Sequence, residues 1–187
     1  MRIIAGRYRG HQLGRISGTD MRPTSDRVRE ALFSILDQRP KGAEVLDLFC
    51  GSGALGLEAL SRGASYGVFV DSSMPSLATL NRNLERIGVK TIKVLKGRVD
   101  RVLPRLAEEN RQFDLIFLDP PYRQGLVGST LRHLDTLNLT APGGMIVTEH
   151  EIQMKSPPQV GSLFRVDQRR YGDTGLTMYS PLGGMET

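Results

Sequence analysis

Residues 45–56 read Val45-Leu46-Asp47-Leu48-Phe49-Cys50-Gly51-Ser52-Gly53-Ala54-Leu55-Gly56, and the fold turns on how this stretch is read. Its first half is a short apolar run. Its second half is a turn that no large side chain could enter, because glycine lacks a Cβ and lets a ligand lie against bare backbone. Beyond Gly53, the residues Ala54, Leu55, Leu57, Glu58, Ala59 and Leu60 are good helix formers. Strand, glycine turn and helix follow one another, and a small molecule can meet backbone N–H groups at the helix start.

Gly51 to Gly56 spells G-x-G-x-x-G, the dinucleotide fingerprint, but several nucleotide and nucleoside binders share it. Asp47 discriminates between them. It stands four positions before the first glycine, near the carboxyl end of the strand, where a carboxylate is expected to face the ligand. Beside a pyrophosphate it would cost repulsion and desolvation. Beside the ammonium and sulfonium of S-adenosylmethionine it is favourable, so that cofactor is expected ahead of NAD. The plainer alternative has Asp47 capping the helix.

Downstream, Tyr66-Gly67-Val68-Phe69-Val70-Asp71 is a second apolar strand ending in an acid twenty positions beyond Gly51. An acid at that distance accepts hydrogen bonds from ribose hydroxyls. Phe49 and Ser52 in the turn, and Ser72 after Asp71, complete the expected cofactor contacts on these two strands. Leu77, Leu80, Leu84 and Ile87 mark a helix, and Thr91 to Leu95 a third strand. Arg98 and Asp100 follow Gly97 in the loop that passes the adenine, and the residue touching it stays open. Leu103 to Glu109 is expected as a short helix with Pro104 in its first turn.

The fourth strand, Phe113 to Leu118, delivers Asp119-Pro120-Pro121-Tyr122. Exocyclic amines of bases are poor nucleophiles, since their lone pairs are delocalised into the ring. Acceptors aimed at the two amine hydrogens favour the tetrahedral geometry that methylation needs. The Asp119 carboxylate and the Pro120 carbonyl are suited to this, and two prolines fix them in advance. Tyr122 offers a face on which an unpaired base can stack. Read blandly, the four residues are a rigid acidic turn. In-line transfer to an amine nitrogen is the expected reaction, with Asp119, Pro120, Pro121 and Tyr122 as the catalytic set and no metal: His11, His133 and His150 show no ligand spacing.

A helix with Leu126, Leu131, Leu134 and Leu137 comes next. Ala141-Pro142-Gly143-Gly144 is read as a turn into a fifth strand, Met145 to Glu149. Leu163 to Tyr171 and Leu176 to Ser180 form an antiparallel hairpin. Strand and helix alternation over residues 44–149 predicts an α/β fold, a mostly parallel sheet with helices on both faces. Ligands bind at the carboxyl ends of such strands, where Asp47, Asp71 and Asp119 stand.

Towards the amino terminus, a helix begins near Pro23-Thr24-Ser25-Asp26, capped by Thr24 or Ser25. Val28, Ala31, Leu32, Ile35 and Leu36 give its buried stripe, with Arg27 and Glu30 off it. Residues 1–21 are read as a small basic arm or β-ribbon, and 22–187 as the main domain. The arm packs on that domain or on a partner.

The 187 residues carry a net charge of +5. Seven arginines (Arg2, Arg7, Arg9, Arg15, Arg22, Arg27 and Arg29) face three acids within the first thirty residues, so four of the five surplus charges lie there. Arginine makes bidentate contacts to phosphate, which points to nucleic acid. Arg2, Arg7, Tyr8, Arg9, Arg22 and Arg27 are the expected RNA contacts, with Tyr8 either stacking on a base or anchoring the arm. Cys50 is the only cysteine and reads as a core residue. No apolar run of transmembrane length and no secretory leader are seen, so a cytoplasmic protein without a membrane partner is expected.

The chain resembles the bacterial small-subunit (16S) ribosomal RNA guanine-N(2) methyltransferases, the RsmD family, within the class I methyltransferase fold. Arg2 to Gly6, Arg22 to Glu30, Leu46 to Leu60, Asp119 to Tyr122 and Tyr171 to Thr174 carry the resemblance. It implies a Rossmann-like domain, S-adenosylmethionine as cofactor and ribosomal RNA or the small ribosomal subunit as partner. The family's tetrapeptide maps onto Asp119, Pro120, Pro121 and Tyr122, its cofactor loop onto Asp47, Gly51 and Gly53, and its ribose acid onto Asp71. The segment holding Thr24 resembles the one that closes over the methionine end of the cofactor. Arg98 departs from the pattern. Rival readings are an amino-methylating DNA enzyme acting on adenine or cytosine, an RNA-binding assembly factor without catalysis, and an NAD oxidoreductase.

Overall fold

The computed structural model describes residues 1–16, 25–121 and 125–181. Thr24, Arg22 and Tyr122 therefore lie outside the described residues.

Eight strands make one sheet in the order β3-β2-β1-β4-β5-β8-β7-β6. The strands β1 (Glu44–Leu48), β2 (Tyr66–Asp71), β3 (Ile92–Lys96), β4 (Phe113–Leu118) and β5 (Thr140–Glu151) run parallel. The pairings of β5 with β8 (Thr174–Pro181), β8 with β7 (Leu163–Tyr171) and β7 with β6 (Gln159–Val160) are antiparallel. Central strands are mostly apolar because helices cover both faces, with Asp47 the buried acid of β1. On one face Leu46, Val68, Ile116 and Ile146 pack with α4 (Val99–Glu108) and α5 (Leu126–Thr136). On the other, Val45, Phe117 and Val147 meet α1 (Asp26–Leu36) and α2 (Ala54–Ser61), while Phe69 meets α2 and α3 (Met74–Ile87).

Three expectations need correction. The helix α4 starts at Val99, so Pro104 lies inside it rather than in its first turn. The segment 141–144 is not a turn: β5 already begins at Thr140 and absorbs Pro142 and Gly143 as an irregularity opposite Phe113 and Leu115. The buried stripe of α1 is Val28, Arg29, Leu32, Phe33 and Leu36, rotated from the expected one so that Arg29 is wholly buried. That removes Arg29 from the cations available to a polyanion.

The arm folds as a single antiparallel bridge, Arg2 to Gln12, with Ile3 and Leu13 sunk into the cluster around α2 and α3. It therefore packs on the domain. The Ile4 and Ala5 N–H groups donate to the two oxygens of the buried Glu58, at 2.7 and 3.1 Å. Tyr8 N–H donates to Ser61 Oγ and Arg7 N–H to the Ser61 carbonyl. Gly6 makes this approach possible: at φ 82°, any Cβ on it would lie 1.8 Å from the Ser61 carbonyl oxygen.

Candidate functional site

The turn after β1 forms as its composition requires. Phe49, Gly51 and Gly53 all have positive φ, at 58°, 55° and 80°. Gly53 is the N-cap of α2, and a Cβ there would meet Leu80 at 2.4 Å. Phe49 is a bulky residue held in the left-handed region, a local strain of the kind that collects at ligand sites. Cys50 is buried and its thiol is pushed well up by burial, with Asp47 and Asp71 adding to the shift, which agrees with a core role.

Asp47 is buried and turns inward. Its Oδ2 accepts from the Gly56 N–H at 2.9 Å, so the carboxylate fastens the first turn of α2 to β1. Burial pushes its pKa up to about 7, the Gly56 hydrogen bond opposing and the Asp71 charge adding. Asp71, half-buried at the end of β2, accepts from the Gly51 N–H through Oδ2 and from the Ser73 N–H through Oδ1, each at 2.8 Å. The turn and the second acid are thus one assembly. Ser52 is buried and Ser72 exposed beside it.

Asp119 follows β4 directly and is half-buried, with Pro120 buried and Pro121 exposed. Leu118 pairs with Leu48 on one side and Thr148 on the other. The register therefore sets Asp119 alongside Phe49 and the buried Glu149, at the edge where the glycine turn begins. Asp47, Asp71 and Asp119 come from three neighbouring strands on one rim. Arg98 is exposed at the start of α4 and grips Asp100 with two hydrogen bonds of 3.1 and 3.0 Å. Gly97 N–H donates to the Asp71 carbonyl, so this loop does border the same rim.

Arg2, Arg7, Arg9 and Arg27 are exposed, and Tyr8 is half-buried against the α2–α3 cluster with Arg7 over its ring. The structure adds residues that patterning missed. Asn83, buried in α3, accepts from the Gly14 N–H and donates to the Ser52 carbonyl. Glu58 and Arg29, both wholly buried, sit where the arm meets α2. A lone acid in the octet Ala54–Ser61, every residue of which is buried, is the signal that could have singled out Glu58. Among the described residues, no three His, Cys, Asp or Glu side chains converge as a metal site, and no helix is long and apolar enough to cross a membrane.

A family model described as "Conserved hypothetical protein 95" matches residues 1–180. The chain belongs to that family, the RsmD family. The "Putative rRNA methyltransferase YlbH" of Bacillus subtilis is 36% identical over 184 residues, covering 98% of this chain and 100% of that protein. The "Ribosomal RNA small subunit methyltransferase D" of Escherichia coli is 35% identical over 157 residues, 84% of this chain and 78% of that one. A solved structure named "Putative methyltransferase yhhF from Escherichia coli" superposes with a TM-score of 0.85 at 32% identity, covering 98% of both chains. The fold is that of a class I methyltransferase.

Proposed function

We propose that the chain transfers a methyl group from S-adenosylmethionine to the exocyclic N2 of a guanine in small-subunit (16S) ribosomal RNA. The observation that carries this is the register of β4 on β1, which sets the Asp119 corner beside the glycine turn. The names of the family's relatives, rRNA methyltransferases, support the RNA.

The donor set fits a cationic cofactor. From Asp47 to Gly56 there is no basic side chain, and the acids Asp47, Asp71 and Asp119 stand at the ends of neighbouring strands, while Arg98 in the bordering loop is paired with Asp100. A pyrophosphate would be repelled there; a sulfonium and an ammonium are not. Phe49, Gly51, Ser52 and Gly53 would hold the cofactor against backbone, Asp71 and Ser72 would take the ribose, and Thr24 would contact the methionine end. When bound, S-adenosylmethionine supplies an electrophilic methyl group.

The chain's own residues do the rest. Asp119 and the Pro120 carbonyl accept from the two amine hydrogens and turn the nitrogen lone pair towards the methyl carbon. The Asp119 carboxylate would stabilise the positive charge that develops on the amine as it takes up the methyl group, and would accept the amine proton. Pro121 stiffens the corner, and Tyr122 stacks on the extruded base. Residues 1–21 serve the domain 22–187 as an arm whose Arg2, Arg7 and Arg9, with Tyr8, contact RNA, as do Arg22 and Arg27. A ribosomal substrate places the work in the cytoplasm.

The test is transfer of labelled methyl to total RNA, DNA and small ribosomal subunits, followed by nucleoside analysis. Label in N2-methylguanosine from small-subunit RNA supports the reading. Label in DNA adenine or cytosine replaces it with the rival enzyme.

A further inference from the structure

The arm touches more than the back of α2. Its last described residues run along α3 and end at the glycine turn. Gly14 N–H donates to Asn83 Oδ1 at 2.8 Å, and Asn83 Nδ2 donates to the Ser52 carbonyl at 2.9 Å. Two residues on, the Ile16 side chain lies against Gly51, its Cδ1 3.5 Å from where a Cβ would stand. Asn83 is 1% exposed, so neither bond can be exchanged for water.

We propose that Asn83 is a positioning residue that couples the N-terminal arm to the cofactor turn, so that seating the arm and binding the cofactor reinforce one another. The inference rests on the cofactor reading given above. A side-chain amide is one rigid plane carrying an acceptor and a donor. Here an N–H faces the acceptor and a carbonyl faces the donor, so the orientation is fixed by both neighbours at once. Moving the arm away from Oδ1 shifts the plane and loosens Nδ2 from Ser52. No other side chain of this length supplies both halves: aspartate only accepts, and leucine does neither. Coupling of two binding events is reciprocal, so a cofactor that orders the turn also fastens the arm. Since the arm carries exposed Arg2, Arg7 and Arg9, RNA that grips it tightens the cofactor turn through Asn83.

Asn83→Asp separates the two bonds. The carboxylate still accepts from Gly14 but opposes the Ser52 carbonyl. The experiment is S-adenosylhomocysteine titration by calorimetry, with hydrogen exchange of the arm amides measured with and without that ligand. In the native protein, the ligand is expected to slow exchange at Gly14 and Ile16. In Asn83→Asp, binding is expected to weaken about tenfold and the ligand's effect on the arm to vanish, while the ligand-free arm stays protected. Asn83→Leu, which keeps the packing volume, is expected to loosen arm and turn alike, and it serves if the aspartate variant does not fold. Ligand-induced slowing of the arm that persists in the variant, or affinity within about twofold of native, overturns the coupling and leaves the cofactor reading standing. Failure of the native protein to bind S-adenosylhomocysteine overturns both.

Discussion

The Gly51 N–H donates to Asp71 Oδ2 at 2.8 Å, joining the first glycine of the turn to an acid at the end of the next strand. The other oxygen holds the Ser73 N–H, so Asp71 shapes both loops at the rim before any ligand arrives. Asp71→Ala removes both hydrogen bonds, along with the acceptor expected for ribose. Bonds to an ionised group are worth about 1.5–3 kcal/mol each. Titration with S-adenosylhomocysteine should show affinity falling about 100-fold or more, and Asp71→Asn, which keeps one acceptor, should lie between.

Asp47 is expected to make cofactor binding depend on pH. Its folded pKa is near 7, against an unfolded value of roughly 4. Between those values the unfolded chain releases a proton that the folded chain keeps, so this group's contribution to stability falls as pH rises through the window. A cationic ligand favours the carboxylate. Affinity for S-adenosylmethionine should therefore rise with pH up to about 7 and then level off, approaching tenfold per unit at the steepest. Asp47→Asn should flatten the profile measured by calorimetry in buffers from pH 5.5 to 8.

Most of the sheet was legible because each central strand is an apolar run bounded by glycine or an acid. The rim acids were legible for the same reason: Asp71 and Asp119 stand where such runs stop. The direction taken by Asp47 was not, since both a ligand and the Gly56 N–H suit a carboxylate there. Pro104 misled because a proline suits a first turn, yet α4 had already begun five residues earlier, with Arg98 and Asp100 paired at its start. Arg29, Glu58 and Asn83 were invisible to periodicity. Their partners lie far off in sequence, such as Ile4 for Glu58 and Gly14 for Asn83, and the contacts exist only once the arm is docked.

Glu58 is the anchor of that docking. It accepts from Ile4, Ala5 and Arg62 and lies 3.9 Å from Arg29, which also donates to the Arg2 carbonyl and to Asp26. Glu58→Ala leaves two arm N–H groups without their acceptor and takes the buried carboxylate away from Arg29, whose remaining ion pair is with the more exposed Asp26. Removing one member of a buried pair costs about 3–5 kcal/mol, and urea denaturation should show a loss of that size. Adding Arg29→Met should recover part of it, because the uncompensated charge goes with the arginine.

Gly6→Ala tests the arm without touching that pair. The new Cβ would collide with the Ser61 carbonyl, a backbone atom of α2 that cannot swing aside. Hydrogen exchange should speed up at Ile4, Ala5 and Tyr8, while the amides of β1 and β4 keep native protection.

The most direct measurement of the central claim compares native protein with Asp119→Ala in single-turnover transfer of labelled methyl to small ribosomal subunits. Native protein should deposit label in N2-methylguanosine. The variant should transfer about 100-fold or more slowly with unchanged S-adenosylhomocysteine affinity. Near-native transfer by the variant, or label in another nucleoside, would contradict the account.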